Sequence, residues 1–202
     1  MRSDAAELPF ATISEHDGVR FLHLDTPWVQ GAMLIREPRV IVLEYVQRMM
    51  AWMLWRSSSE VASGHAVQLG LGAASITRFC HSVLRMPRVT AVELNRAVIA
   101  ACYHGFKLPA DDERLSVLEA DAGDWVADAA HRGIAQVLNV DLYDHDAAAP
   151  VLDSDAFCAQ CRDVLGVGGV MSVNLFGRAS SFAASAARIA AAFGRDQVWS
   201  LQ

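Results

Sequence analysis

Lysine is nearly missing from this chain: Lys107 is the only one among 202 residues, so an amine nucleophile of the Schiff-base type has a single place to stand. Basic residues are in the minority overall, 17 Lys+Arg against 23 Asp+Glu for a formal charge of −6. That balance leaves no cationic footprint for a nucleic-acid backbone or an anionic membrane and favours a small-molecule partner. Cysteine is scarce too. Cys80, Cys102, Cys158 and Cys161 are too few and too scattered for a disulfide framework in a chain that is 53% hydrophobic and able to build its own core. Long apolar runs are also absent. The most apolar window, Val40–Trp55, is interrupted by Glu44, Gln47 and Arg48 and falls short of the ~20 residues that a membrane-spanning helix needs. No stretch near the start combines a basic beginning, an apolar core and a small-residue cleavage site, so a cytoplasmic protein is expected.

What is present changes character near Ser57–Gly64. Before it, Ala11–Glu15, Arg20–Leu24 and Gly31–Arg36 carry β-formers, with His16-Asp17-Gly18 as a turn, which predicts a small antiparallel meander over 1–37. An apolar helix and a serine loop follow over 38–63. The helix face of Met49, Met50, Trp52, Met53 and Trp55 suits core or subunit-interface packing, or else a partner-binding face. From 64 to 202, short apolar strands alternate with helices, the signature of a parallel sheet covered on both faces. Strands are expected at Ala66–Leu69, Val89–Glu93, Leu115–Glu119, Gln136–Leu142, Gly169–Phe176 and Gln197–Leu201. Helices are expected at Ala74–Leu84, Arg96–Phe106, Gly123–Ala130, Ser154–Leu165 and Ser180–Phe193. Six strands and five crossovers make a doubly wound, mostly parallel α/β domain. Cys158-Ala-Gln-Cys161 falls on a helix with no second pair or histidine couple nearby. It reads as two small buried residues rather than a zinc or redox site, and no metal site is expected elsewhere.

Ligands bind at the carboxyl ends of the strands in such a sheet, so the polar residues there carry the functional reading. After the first strand, Gly70-Leu71-Gly72 permits a tight turn and close backbone approach beneath a helix N-terminus. Glu93 ends the second strand, about 20 residues on, where a carboxylate can accept from both ribose hydroxyls. Its alternative role is beside the helix cap that Asn95 supplies. Asp121, after the third strand, could accept from an exocyclic amine while the following backbone N–H reaches a ring nitrogen, or it caps the next helix. After the fourth strand, Asp141, Asp144 and Asp146 lie in one short loop with Tyr143 and His145. Concentrated negative charge at the buried centre of a sheet calls for a bound cation or a shared proton, unless the loop before Pro150 is solvated. His145, between two aspartates, either tunes that loop or is a surface histidine.

Taken together, these residues resemble the spermidine/spermine synthase family of aminopropyltransferases, which share the Rossmann-like class I S-adenosylmethionine-dependent methyltransferase fold. The resemblance runs through Thr26-Pro27-Trp28-Val29-Gln30, Gly70-Leu71-Gly72, Glu93, Asp121-Ala122 and Asp141–Asp144. It implies that Gln30, Gly70, Gly72, Glu93, Asp121 and Ala122 bind the adenosyl donor, and that Asp141 and Asp144 bind the amine, with Asp144 accepting its proton. It implies no prosthetic group. The co-substrate would be decarboxylated S-adenosylmethionine or S-adenosylmethionine, the acceptor an amine such as putrescine, and the assembly a homodimer.

Two positions depart from the family pattern. Ala73 stands where the family has an aspartate for the donor's amino group, and Leu43-Glu44-Tyr45-Val46 holds at best a displaced form of its Tyr-His pair. The family also carries a seventh, antiparallel strand that is not among the strands read here. Ala73 keeps open a methyltransferase using the intact donor, whose own carboxylate an aspartate there would repel. The two departures together keep open a catalytically silent nucleoside-binding homologue. A nicotinamide oxidoreductase fits less well, because Ser75 replaces a third glycine.

Overall fold

The computed structural model describes residues 8–142, 154–175 and 179–201. Three strands, β1 (Ala11–His16), β2 (Val19–Leu24) and β3 (Gly31–Leu34), form the expected antiparallel meander in the order β1-β2-β3. Asp17 and Gly18 make the first turn with φ of 49° and 77°. Two consecutive positive φ values are what a two-residue hairpin needs to match strand twist, and Asp-Gly supplies them at little cost.

The second sheet has five parallel strands in the order β6-β5-β4-β7-β8. They are β4 (His65–Leu69), β5 (Arg88–Glu93), β6 (Leu115–Glu119), β7 (Ala135–Val140) and β8 (Leu165–Val173). The central strand β4 is buried along its whole length, as parallel strands covered on both faces are. One face packs Leu22, Met33, Met50, Trp52, Ile76 and Phe106 against it; the other packs Trp125, Phe157, Cys161 and Val164. The first group joins the meander to the sheet, and truncating a side chain as large and buried as Trp52 would cost about 3–5 kcal/mol.

Helices begin where the sequence offers caps. In α3 (Arg96–Gly105), Asn95 accepts from the Ala97 N–H. In α4 (Ala122–Ala127), Asp121 accepts from the Asp124 N–H, and in α5 (Asp155–Val164) Ser154 accepts from the Phe157 N–H. Each side chain satisfies a donor that the first helical turn leaves unpaired. The remaining helices are α1 (Glu44–Met49), α2 (Ser75–Ser82) and α6 (Ala179–Phe193). Among the described residues no helix is long and apolar enough to cross a membrane.

Two expectations are corrected. The apolar window is not one buried helix: α1 gives way to a 3-10 segment, Met50–Trp55, whose three-residue turn keeps Met50 and Trp52 inside but turns Leu54 out at 83% exposure. The sixth strand, Gln197–Leu201, does not form. Gly194, at φ 93°, ends α6 and leads into a 3-10 turn over Arg195–Gln197, after which Trp199 lies 5.5 Å from Trp55, ring centre to ring centre. An aromatic contact takes the place of strand pairing, and among the described residues β8 is the last strand on its side. All four cysteines are buried; burial pushes the Cys80 thiol up to about 12, and Cys158 and Cys161 line a small apolar space between α5 and α6. They pack as small core residues.

Candidate active site

The carboxyl edge of the five-stranded sheet is stitched together by backbone bonds that continue past the strand ends. Gly70 N–H donates to Val92 O at 2.9 Å, Asp141 N–H to Leu69 O at 2.9 Å, Ala120 N–H to Glu93 O at 3.1 Å and Asn174 N–H to Val140 O at 2.9 Å. These bonds bring Asp121, Glu93, Gly70, Asp141 and Asn174 to one edge in lateral order. Gly70 has φ 81°, and a Cβ there would lie 2.0 Å from the Asp141 carbonyl oxygen. Only glycine allows the turn to pass that close to the neighbouring strand end.

Glu93 lies against the turn. Leu71 N–H donates to its Oε2 and Asn95 N–H to its Oε1, both at 2.8 Å, so each carboxylate oxygen holds one backbone donor and keeps lone pairs for another. The carbonyls of the turn are held from the protein side: Cys102 donates to Gly72 O at 3.0 Å and the buried Arg78 guanidinium to Ala73 O at 3.0 Å. The meander closes over the same turn. A Cβ on Gly31 would meet both N and Cβ of Ala73 at 2.5 Å, one on Gly72 would meet Gln30 O at 3.1 Å, and Ser75 Oγ donates to Ala32 O at 3.2 Å. Gln30 therefore reaches the glycine turn through its backbone, and Ala73 is sealed beneath β3 rather than lining an open pocket.

Asp141 is fixed on both carboxylate oxygens. Asn174 Nδ2 donates to Oδ1 at 3.0 Å, and the Tyr45 hydroxyl of α1 faces Oδ2 at 3.5 Å. Burial raises the Asp141 carboxyl above its ordinary range, with Asn174 and Tyr45 pulling it back. Burial also raises Glu93; the N–H groups of Leu71, Asn95 and Leu94 lower it, and Asp141 pushes it up again. Two carboxylates that burial holds above their normal range, with Asp141 adding to the cost of charge on Glu93, form an edge that a cation would stabilise. Asp121 is exposed and its Oδ1 accepts from the Asp124 N–H at 3.0 Å, while Ala122 is buried. The cap and a ligand contact are compatible, because Oδ2 is not used by that bond. Asp144 lies outside the described residues, as do Tyr143, His145 and Asp146.

Two residues of this edge lie outside the site expected from sequence. By sequence pattern Tyr45 is displaced from the place where the resemblance expects a tyrosine, yet α1 brings its hydroxyl to Asp141. Asn174 was placed inside a strand expected to run to Phe176; β8 ends at Val173, which makes Asn174 the first residue after it. With the boundary at Val173, Asn174 joins the polar residues just beyond strand ends, where ligands bind in such a sheet.

No family model matches the chain. It is 32% identical over 174 residues to the polyamine aminopropyltransferase of Neisseria meningitidis, a match covering 86% of this chain and 64% of that protein. The chain thus spans just under two thirds of that relative's length. Among solved structures, human methyltransferase-like protein 13 in complex with SAH superposes with a TM-score of 0.67 at 22% identity, covering 75% of this chain and 74% of that one. A probable spermidine synthase from Corynebacterium glutamicum gives a TM-score of 0.71 at 18% identity, covering 89% and 65%. The fold is methyltransferase-like. Within it, the expected doubly wound sheet and N-terminal meander are both present.

Proposed function

We propose that this chain transfers an aminopropyl group from decarboxylated S-adenosylmethionine to an amine such as putrescine. The observation that carries the reading is Asp141, a buried carboxylate held by Asn174 and Tyr45 directly beside the Gly70 turn and Glu93. The naming of the Neisseria relative supports it. In this reading Glu93 accepts from the donor ribose, and Asp121 and the Ala122 N–H meet the adenine. Gly70 and Gly72 let the backbone approach the donor, with Gln30 closing over it. Asp141 and Asp144 bind the amine. An ammonium has no free electron pair, so the attacking nitrogen must first give up a proton to a carboxylate, the role assigned to Asp144. The nitrogen then attacks the carbon beside the sulfonium; the C–S bond breaks, its electron pair stays on sulfur, and neutral methylthioadenosine leaves. The protein's task is binding and in-line alignment. The same reading includes a cytoplasmic homodimer, for which exposed Leu54, Trp55 and Trp199 offer apolar surface.

Ala73, sealed against Gly31, favours a second reading, methyl transfer from the intact donor, because no carboxylate stands there to repel the donor's own. Calorimetric titration with decarboxylated S-adenosylmethionine, S-adenosylmethionine and methylthioadenosine separates the two. Tighter binding of the decarboxylated donor, with transfer to putrescine abolished in Asp144→Asn, is expected for aminopropyl transfer. Preference for the intact donor moves the assignment to methyl transfer, and binding without turnover marks a silent homologue.

A further inference from the structure

Beneath the glycine turn the sheet buries two polar side chains where a parallel sheet normally carries valine, isoleucine or leucine. Gln68 of β4 stands in register with Asn139 of β7, and Ser172 of β8 flanks Asn139 on its other side. Side chains alternate along a strand, so Gln68 and Asn139 share a face with positions 70 and 141, one step deeper. Gln68 is 4% exposed and Asn139 fully buried. The Gln68 Nε2 donates to Gly70 O at 2.7 Å, which fixes the first peptide of the turn. Among the described residues its Oε1 has no partner, and neither has Asn139 Oδ1 or Asn139 Nδ2. A buried amide left unpaired costs more than an apolar residue of its shape.

The balance of these atoms selects what satisfies them. Two acceptors and one donor cannot all be met by a cation, which leaves Nδ2 unpaired, or by an anion, which leaves both oxygens unpaired. Water both donates and accepts, and sites with several converging polar groups are where buried water resides. We propose that Gln68 and Asn139 hold buried water between β4 and β7, and that this layer positions the Gly70 turn against Asp141. Gln68 and Asn139 are then positioning residues: Gln68 grips the turn, and the water ties its far oxygen to the strand that carries Asp141. The consequence for donor binding rests on the function proposed above; the water and the ordering of the turn do not.

A high-resolution crystal structure of the unliganded protein is the first test, with density expected within hydrogen-bond distance of Gln68 Oε1 and the Asn139 amide. Amide hydrogen exchange over 69–75 is the second. Gln68→Met should exchange about tenfold faster there, the change expected for one lost hydrogen bond, and Asn139→Leu should also be faster, while 115–119 stays unchanged in both. Methylthioadenosine should bind Gln68→Met about tenfold more weakly. A dry interior in the crystal, or Asn139→Leu with a raised Tm and unaltered exchange at 69–75, overturns the inference. The wild-type density decides the matter where a variant fails to fold. A wild-type protein that does not bind methylthioadenosine overturns the proposed function and leaves the density and exchange readouts standing.

Discussion

The Tyr45 hydroxyl and the Asp141 carboxylate stand 3.5 Å apart although 96 positions separate them in the chain. One belongs to the first helix after the meander and the other to the end of β7, so their meeting depends on the N-terminal part docking on the sheet. The contact is at the long limit for a hydrogen bond, and it faces one oxygen of a carboxylate whose other oxygen accepts from Asn174. Tyr45→Phe should leave the fold intact and raise the amine KM by roughly fivefold, corresponding to about 1 kcal/mol, with donor affinity unchanged. Steady-state kinetics with each substrate varied in turn would check this; an equal effect on both would place Tyr45 elsewhere in the mechanism.

Asp141 and Glu93 link stability to pH with a definite sign. Burial raises both carboxyls in the folded chain, so the native state holds protons that the unfolded chain has already released. Stability from these groups is full below the ordinary carboxylate range and is lost as pH rises through the raised folded values. Asp141→Asn removes one of the two charges and keeps an oxygen for Asn174. Its Tm should exceed the wild type's at neutral pH, and the gap should close on acidification into the carboxylate range. The same variant should lose transfer activity, the usual opposition between a stable and a functional site.

Gly70 is the position where backbone closeness is most demanding. Gly70→Ala would place a methyl 2.0 Å from the Asp141 carbonyl at a φ of 81°, so the turn and the end of β7 must separate. A loss of at least about 2 kcal/mol of stability is expected, together with loss of nucleoside binding. Chemical denaturation and calorimetry on one preparation would read both.

Ala74 offers the reverse case. It caps α2 in the left-handed region, φ 58° and ψ 24°, fully buried and without a side-chain cap bond. A residue with a Cβ pays about 1–2 kcal/mol for that conformation, partly offset by the lower entropy it has to lose on folding. Ala74→Gly should therefore stabilise the chain by roughly 0.5–1 kcal/mol, visible as a rise of a few degrees in Tm. An unchanged or lower Tm would mean that the Ala74 methyl contributes more packing than its strain costs.

Local chemistry explains which parts of this architecture could be read in advance. Asp17-Gly18, Gly70, Asn95, Asp121 and Ser154 act within a few residues of themselves, through turn dihedrals and helix caps, and each stands where its residue type predicts. The apolar runs of β4 and β7 announce burial on both faces, and so a parallel sheet. Val198, Trp199 and Leu201 carried a strand-like pattern, but pattern alone does not say whether apolar side chains meet a sheet or another ring, and Trp199 meets Trp55. Trp55 itself is turned outward by a 3-10 segment that a 3.6-residue periodicity misplaces. The pairing of Tyr45 with Asp141 and of Asn139 with Gln68 is non-local, set by docking and register, and no spacing in the chain encodes it.

His65 opposes the carboxylates and gives the last prediction. It begins β4 with its Nε2 2.8 Å from Thr90 Oγ1, and burial, reinforced by the nearby Arg88 charge, pushes its pKa down from 6.5 to about 4. The folded chain therefore keeps this ring neutral over a range in which the unfolded chain protonates it. Its contribution is full above 6.5 and is lost as pH falls toward 4, the opposite slope to Asp141 and Glu93. His65→Gln can keep a hydrogen bond to Thr90 without a titrating ring, so its Tm should decline less steeply than the wild type's between pH 6.5 and 4, while the two curves run parallel above pH 7. If the acid limb is equally steep in both, protonation of His65 is not what destabilises the fold there, and the ring must remain neutral or find a partner for its second proton.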